Sequence, residues 1–264
     1  MNIDKIYIPT LGRVNNQRTY ESLPDFVKKI TYLVIQPQEL NDIKKNYPNS
    51  NLVILPEEIK GIAKTREYIV RLGNDTLYGM LDDDLEFARR NVDRTTNKKT
   101  GDKAQTDMTE QDWKDWFDKV EDWLNNDYGV CGMRFHAFPP NKKEDIEFQK
   151  ISQVYFINGN KFSPNQIKWD IQFSEDIYFI LQLLELGNKT IVSDKYLYRH
   201  PDGHFSEGGG SAEGRNEEND YKTLLEVSKR YPQLFNIDTI NGKYQVNWKK
   251  AYRQVEYNEF DKWK

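Results

Sequence analysis

A chain of 264 residues that is 37% hydrophobic and 13% aromatic is neither a disordered segment nor a small scaffold that needs metal or disulfide staples. Its one cysteine, Cys131, excludes a disulfide framework, and the surrounding run YGVCGM marks it as a small core residue. A net charge of −4 excludes gripping nucleic acid through the overall field, although not through a local basic groove.

Along the chain, KIYIPT is a strand that stops at Pro9 and gives way to the loop LGRVNNQ. TYESLPDF is a weak helix broken by its proline, ITYLVIQP a second strand, QELNDIKKNYP a polar helix and NLVILP a third strand. IKGIAKTREYIVRLG follows as a helix with Ile59, Ile62, Ala63, Ile69 and Val70 on one face, and TLYGML is a fourth strand that runs into Asp82-Asp83-Asp84. Strands alternating with helices imply crossover connections and a mostly parallel sheet flanked by helices. Ligands of such sheets sit beyond the carboxyl ends of the strands. The loop after Pro9 and the aspartate triplet both fall there.

From Phe87 to about Asp107 the sequence has almost no apolar residue and reads as a long mobile loop. Thr109 with Asp112 predicts a capping box, and the helix behind it turns Trp113, Trp116, Phe117, Val120, Trp123 and Leu124 to the core. YGVCGMRF and SQVYFING are strands; Ser174 caps the helix EDIYFILQLLELG, which buries Ile177, Ile180, Leu181 and Leu184 and closes at Gly187. TIVSDKYLYRH is a last strand-like run before the glycine-rich loop PDGHFSEGGGSAEG, long enough for a lid. A helix around Asp220–Tyr231 and a hairpin turned at Asn241-Gly242 end the pattern. No repeat or linker divides the chain, so the expectation is one domain over residues 1–215 with an extension, 216–264, packed on it. No segment has the roughly 20 apolar residues that span a bilayer. MNIDKIYIP lacks the features of a signal peptide. The expected protein is cytoplasmic, away from membranes and without an obligate protein partner.

The chemistry concentrates in a few residues. Three adjacent carboxylates repel unless a cation or donors offset them. Asp82 and Asp84, with side chains repeating at period two, would offer oxygens of the kind Mg²⁺ or Mn²⁺ prefer. The competing reading is a solvated turn capping a helix begun by LEFARR. Glu175-Asp176 either supplies a general base or merely complements a helix dipole. His200 and His204 are either surface residues or ligands completing a metal site, and His136 ends a strand where an acceptor would lie. Gly208–Gly210 offer amides to an anion.

These pieces add up to a resemblance. YIPTLGR, YLVIQPQEL, LVILPEEIKGIAKTREYIV and YGMLDDDLEF, in that order, resemble the GT-A glycosyltransferases and more closely the TET-associated glycosyltransferases of phages; FSEDIYFILQLLELG and the histidines after it match more loosely. The resemblance implies a GT-A-like, Rossmann-type mixed sheet and a metal-dependent transfer of a sugar from a nucleotide-sugar donor, a UDP-sugar first. Pro9, Thr10 and Arg13 would meet base and ribose. Gly61, Ile62, Lys64 and Arg66 would lie beside the nucleotide, Arg66 facing the diphosphate. Asp84 would bind Mn²⁺ or Mg²⁺ with Asp82, Asp83 and Asp82 would lie near ribose and donor sugar, and His200 or His204 would complete the metal site. Asp176 would be the base, with Glu175 beside the acceptor. Glu67 departs from the asparagine frequent after this arginine.

The acceptor the resemblance implies is 5-hydroxymethylcytosine in DNA. Six cations, Arg89, Arg90, Arg94, Lys98, Lys99 and Lys103, follow the aspartates and could overhang the site. Phe135, His136 and Phe138 would meet a base flipped from its stack. A sugar-phosphate nucleotidyltransferase is the enzymatic rival, disfavoured because LGRVNNQ is poor in glycine. A non-catalytic binding module is the other, for which clustered aspartates would be a liability.

Overall fold

The computed structural model describes residues 3–201, 216–232, 237–240 and 243–246. The strands are β1 (Lys5–Pro9), β2 (Thr31–Ile35), β3 (Asn51–Ile54), β4 (Leu77–Leu81), β5 (Glu86–Arg90), β6 (Val92–Asp93), β7 (Lys98–Lys99), β8 (Gln105–Asp107), β9 (Tyr128–Phe135), β10 (Asp145–Glu147), β11 (Val154–Asn158), β12 (Lys189–Arg199), β13 (Ile237–Ile240) and β14 (Lys243–Val246). The helices are α1 (Arg18–Ser22), α2 (Asp25–Lys28), α3 (Leu40–Asn46), α4 (Ile62–Leu72), α5 (Glu110–Asn125), α6 (Glu175–Glu185) and α7 (Glu217–Arg230). Pro24 separates α1 from α2, as the sequence predicts.

One sheet of ten strands runs β3-β2-β1-β4-β11-β9-β12-β5-β8, with β10 paired to β12. Only β5, β10 and β11 run against the common direction, so the sheet is mixed and mostly parallel. Its strands alternate faces. Ile6 and Ile8 join Trp113, Trp116 and Phe117 of α5 in one core, while Tyr7 between them joins Ala63 and Ile69 of α4 and Phe179 and Leu183 of α6 in the other. Each such side chain contributes about 1.5–3 kcal/mol through its burial. The α5 capping box is formed as expected: Thr109 accepts from Asp112 N and donates its own N–H to the Asp112 carboxylate. Cys131 is buried and free.

Three expectations change. Residues 87–107 are not one mobile loop: β5 and β8 extend the main sheet, and β6 and β7 form a small hairpin. The segment LEFARR builds β5 instead of starting a helix, which removes the helix-capping reading of the aspartates. Ser174 stands at the N-cap of α6 but adopts a left-handed backbone (φ 55°) and makes no side-chain cap bond. It acts as a sharp corner. Helix α6 is accordingly buried almost all round, Tyr178, Phe179 and Leu183 included.

Helix α7 docks on α6, where Arg230 donates to Asp170 and to the Tyr178 hydroxyl and Tyr231 donates to Glu185. The antiparallel pair β13–β14 matches the predicted hairpin, whose turn residues lie outside the described residues. Among the described residues no helix is long and apolar enough to cross a membrane.

Candidate active site

Because β1, β4, β9 and β12 share a direction, the loop holding Arg13, the aspartate turn, Phe135-His136 and Arg199-His200 all emerge at one edge of the sheet. Antiparallel β11 brings its start, Ser152-Gln153, to the same edge.

The aspartates occupy a pinned turn. Thr19, at the start of α1, donates its hydroxyl to the Asp82 carbonyl (2.5 Å) and its N–H to the Asp83 carbonyl (3.1 Å), and accepts from Leu85 N (2.8 Å). The Asp82 N–H reaches the Gln153 carbonyl at 2.9 Å. The turn breaks the period-two geometry of a strand, so Asp82 faces one arginine while Asp83 and Asp84 share another. Arg13 pairs with the Asp83 carboxylate and lies 3.0 Å from Asp84 Oδ2. It is presented after Gly12, whose φ of 73° needs glycine. Burial pushes the Asp83 carboxyl up to about 7 against the pull of Arg13 and the Thr10 hydroxyl. Thr10 also accepts from Gln17 (2.8 Å).

Arg66 is 4% exposed and bridges two loops: Nη2 is 2.6 Å from Asp82 Oδ1 and Nη1 is 2.8 Å from Glu175 Oε1. Its guanidinium also lies over the Tyr155 ring. Burial works against its charge, but Asp82 and Glu175 outweigh that and hold its pKa well above the usual value. Both terminal nitrogens are therefore engaged by carboxylates, which puts Arg66 in a bridging position. Glu175 is likewise buried on Arg66. Asp176 is the more open carboxylate of the two (side chains 19% and 8% exposed), with Lys150 Nζ 3.8 Å away. Lys64 belongs to a surface network with Glu67 and Arg71, apart from Arg66. Gly61 (φ 87°) turns the chain into Ile62, the first residue of α4, and Pro9 ends β1.

Burial raises the Asp82 carboxyl, with Arg66 opposing and Asp84 adding to the rise. Asp84 Oδ1 is buried with no hydrogen-bond donor among the described residues, and His200 Nε2 is 3.6 Å from it. Two ligands of one small cation, each at about 2.1 Å, can stand that far apart. Among the described residues no three His, Cys, Asp or Glu side chains are clustered to hold a metal, so diphosphate oxygens or water would have to complete the shell. His204 and Gly208–Gly210 lie outside the described residues.

On the acceptor side, Arg89 pairs with Asp112 (3.2 Å) and does not overhang the site. Arg90 and Arg94 point to Asp194. Lys98, Lys99 and Lys103 are exposed. Phe135 is half-buried against Tyr198 and His136, while Phe138 is 52% exposed. Sequence reasoning misses Thr19, Lys150, Gln153 and Tyr155, which act through contacts far along the chain. Only Tyr155, alternating inward on a predicted strand, carries a local signal.

The family model described as TET-Associated Glycosyltransferase matches residues 4–210. The chain belongs to this glycosyltransferase family. Two relatives are each named beta-glucosyl-HMC-alpha-glucosyl-transferase. That of Enterobacteria phage T6 is 22% identical over 241 residues, covering 89% of this chain and 83% of its own length. That of Enterobacteria phage T2 is 22% identical over 198 residues, covering 73% and 69%. Among solved structures, S. aureus TarS 1–349 in complex with UDP-GlcNAc superposes with a TM-score of 0.52 at 17% identity, over 87% of this chain and 66% of that one. That likeness concerns the fold, and it agrees with a GT-A-like sheet. This TET-associated glycosyltransferase thus carries its family match over the sheet edge that gathers Arg13, Arg66, Asp82–Asp84 and Glu175-Asp176.

Proposed function

We propose that this glycosyltransferase moves a hexosyl group, glucose first, from a UDP-sugar to 5-hydroxymethylcytosine in DNA with the help of Mn²⁺ or Mg²⁺. The observation that carries the reading is the convergence of two arginine-held carboxylate sets, Arg13 with Asp83 and Asp84 and Arg66 with Asp82 and Glu175, beside the partly exposed carboxylate of Asp176. The phage relatives' names speak of an alpha-glucosyl transfer and of beta-glucosyl-HMC, and the TarS complex holds a UDP-sugar on a similar fold. Asp84 and His200, with Asp82 beside them, would hold the cation, which when bound offsets charge on a departing diphosphate.

The chain's own groups divide the remaining work. Thr10 and Arg13 border the donor side of the turn. Arg66, by bridging Asp82 and Glu175, fixes the turn and the start of α6 relative to each other. Asp176 then accepts the proton of the acceptor hydroxyl while that oxygen bonds to the anomeric carbon. The bond from that carbon to the diphosphate breaks, releasing UDP. An ordinary carboxylate is a weak base, so positioning supplies most of the acceleration.

The test is to incubate the enzyme with Mn²⁺, a panel of UDP-hexoses and duplex DNA containing 5-hydroxymethylcytosine, and to digest the DNA for mass analysis. A hexosylated nucleoside with matching UDP release is expected. UDP release without any DNA product would overturn the acceptor, and transfer from a different nucleotide sugar alone would overturn the donor.

A further inference from the structure

Asp194 is completely buried in the irregular stretch of β12 where pairing with β9 shifts between Ser193 and Leu197. Three arginines converge on its carboxylate: Arg90 (3.3 Å), Arg94 (2.6 Å) and Arg134 (2.5 Å). One negative charge does not balance three positive ones, and the surplus is fixed in place. The same groups grip the loop after β9: Arg90 donates to the Phe138 carbonyl, Arg134 to that of Pro139 and Arg94 to that of Asn141, and Asn141 N donates to Asp194. The β6–β7 hairpin and the 136–143 loop are thereby locked side by side.

What these two segments show to solvent is basic. Lys98 and Lys99 form β7, and Lys142 and Lys143 directly follow Asn141; all four are exposed, with no carboxylate in ion-pairing range among the described residues. Of the acids nearby, Asp102 is exposed in the segment after β7 and three others are occupied. Asp93 binds Thr95 N and the Thr96 hydroxyl in its own turn, and Glu144 and Asp145 both pair with Lys119. Beside the lysines the exposed ring of Phe138 lies against the Arg134 guanidinium at 5.2 Å. Exposed cations held in a fixed array are the elements of a surface that follows a sugar-phosphate chain.

We propose that the β6–β7 hairpin and the 136–143 loop, joined on Asp194, form a docking surface for the backbone of duplex DNA to one side of the acceptor base. This rests on, and deepens, the reading of a DNA acceptor. The spacing suits it. Glu86 lies at the catalytic edge, paired with Arg199, and Arg90 ends the strand. At about 3.4 Å per residue the hairpin, which begins at Val92, starts about 20 Å from that edge. That is roughly six nucleotides along one strand.

The experiment is fluorescence anisotropy with a short unmodified DNA duplex, at salt concentrations from low to physiological, on the full chain and on a Lys98→Glu/Lys99→Glu/Lys142→Glu/Lys143→Glu variant. Thermal unfolding verifies that the variant is folded, and Lys→Gln replacements serve if it is not. The log–log salt slope of the wild type should be steep, and the variant's should be smaller by about 3 to 4. Equal slopes, no binding by the wild type, or equally tight binding to an acidic peptide would overturn the surface. The two readings fail separately. A lysine-dependent slope without glycosylation of hydroxymethylated DNA sinks the acceptor reading alone, and glycosylation with equal slopes sinks this one alone.

Discussion

Asp82, at the end of β4, and Glu175, at the start of α6, are joined through the single guanidinium of Arg66, 2.6 Å from one and 2.8 Å from the other. The bridge couples the aspartate turn after β4 to the corner that starts α6. A buried arginine with two carboxylates is stable only as a set, because removing the cation leaves two like charges out of water. It therefore reads as a rigid brace between the two halves of the site.

Arg66→Met should accordingly destabilise the protein by about 3–5 kcal/mol in urea unfolding. Arg66→Lys should lose less, since it keeps the charge but not the planar fork that serves two carboxylates at once. A methionine variant as stable as the wild type would show that Arg66 does not brace the site.

Glu175 and Asp176 should separate cleanly under substitution. Glu175→Gln weakens the brace, so it should lower stability by about 1–3 kcal/mol and reduce turnover with it. Asp176→Asn leaves the Arg66 bridge untouched and should cut turnover about 10²- to 10⁴-fold with UDP affinity nearly unchanged. Calorimetric titration with UDP distinguishes them: a large affinity loss in Asp176→Asn would move that residue to the donor side.

Much of the β1-to-β4 half of the sheet is legible in the sequence. The alternation KIYIPT, ITYLVIQP, NLVILP and TLYGML is local, and β1 to β4 form from it with their intervening helices. The half that holds β5 to β8 is not legible, for a physical reason. Strand β5 and the β6–β7 hairpin are polar because Arg90 and Arg94 are aimed at Asp194, on a strand distant in sequence. A buried ion cluster looks like a solvated loop when only composition is read. The order β4-β11-β9 is equally non-local, and it alone brings Gln153 to the aspartate turn. Ser174 misleads in the opposite way: its type suits an N-cap, but the corner it occupies aims its backbone elsewhere.

The capping box of α5 gives a plain stability test. Thr109→Ala removes the acceptor for Asp112 N and one partner of the Asp112 carboxylate, and should cost about 1 kcal/mol in the same urea unfolding. No change would mean that the helix is held by its tryptophan face alone.

His136 supplies a pH signature. Burial, and then the neighbouring Arg199 and Arg90, lower its pKa below the ordinary histidine value of 6.5. Below about 6.5 the unfolded chain takes up a proton that the folded chain resists. Stability should therefore fall as pH drops from about 6.5 toward the lowered value, and be unaffected by this group above about 6.5. His136→Gln should flatten that part of the profile of thermal unfolding against pH. An identical slope in the variant would assign the pH dependence to other groups.

The cation is the part of the mechanism most open to direct measurement. Asp84 carries the motivating feature, a buried oxygen with no hydrogen-bond donor among the described residues, facing an imidazole nitrogen at 3.6 Å. Asp84→Asn keeps the shape of the side chain and removes the charge, so the fold should survive while Mn²⁺ binding and transfer are lost. His200→Ala should weaken Mn²⁺ by at least the roughly 10- to 100-fold that even an outer-shell partner commands, with residual transfer restored at high Mn²⁺. EDTA should stop the wild type, and added Mn²⁺ should restart it. Binding is followed by titration calorimetry in the presence of UDP, because diphosphate oxygens are needed to complete the shell. If Asp84→Asn binds Mn²⁺ as tightly as the wild type, the cation sits elsewhere. If the wild type transfers sugar at full rate in EDTA, Arg13 and its neighbours offset the diphosphate charge without any cation, and the buried oxygen of Asp84 needs another partner.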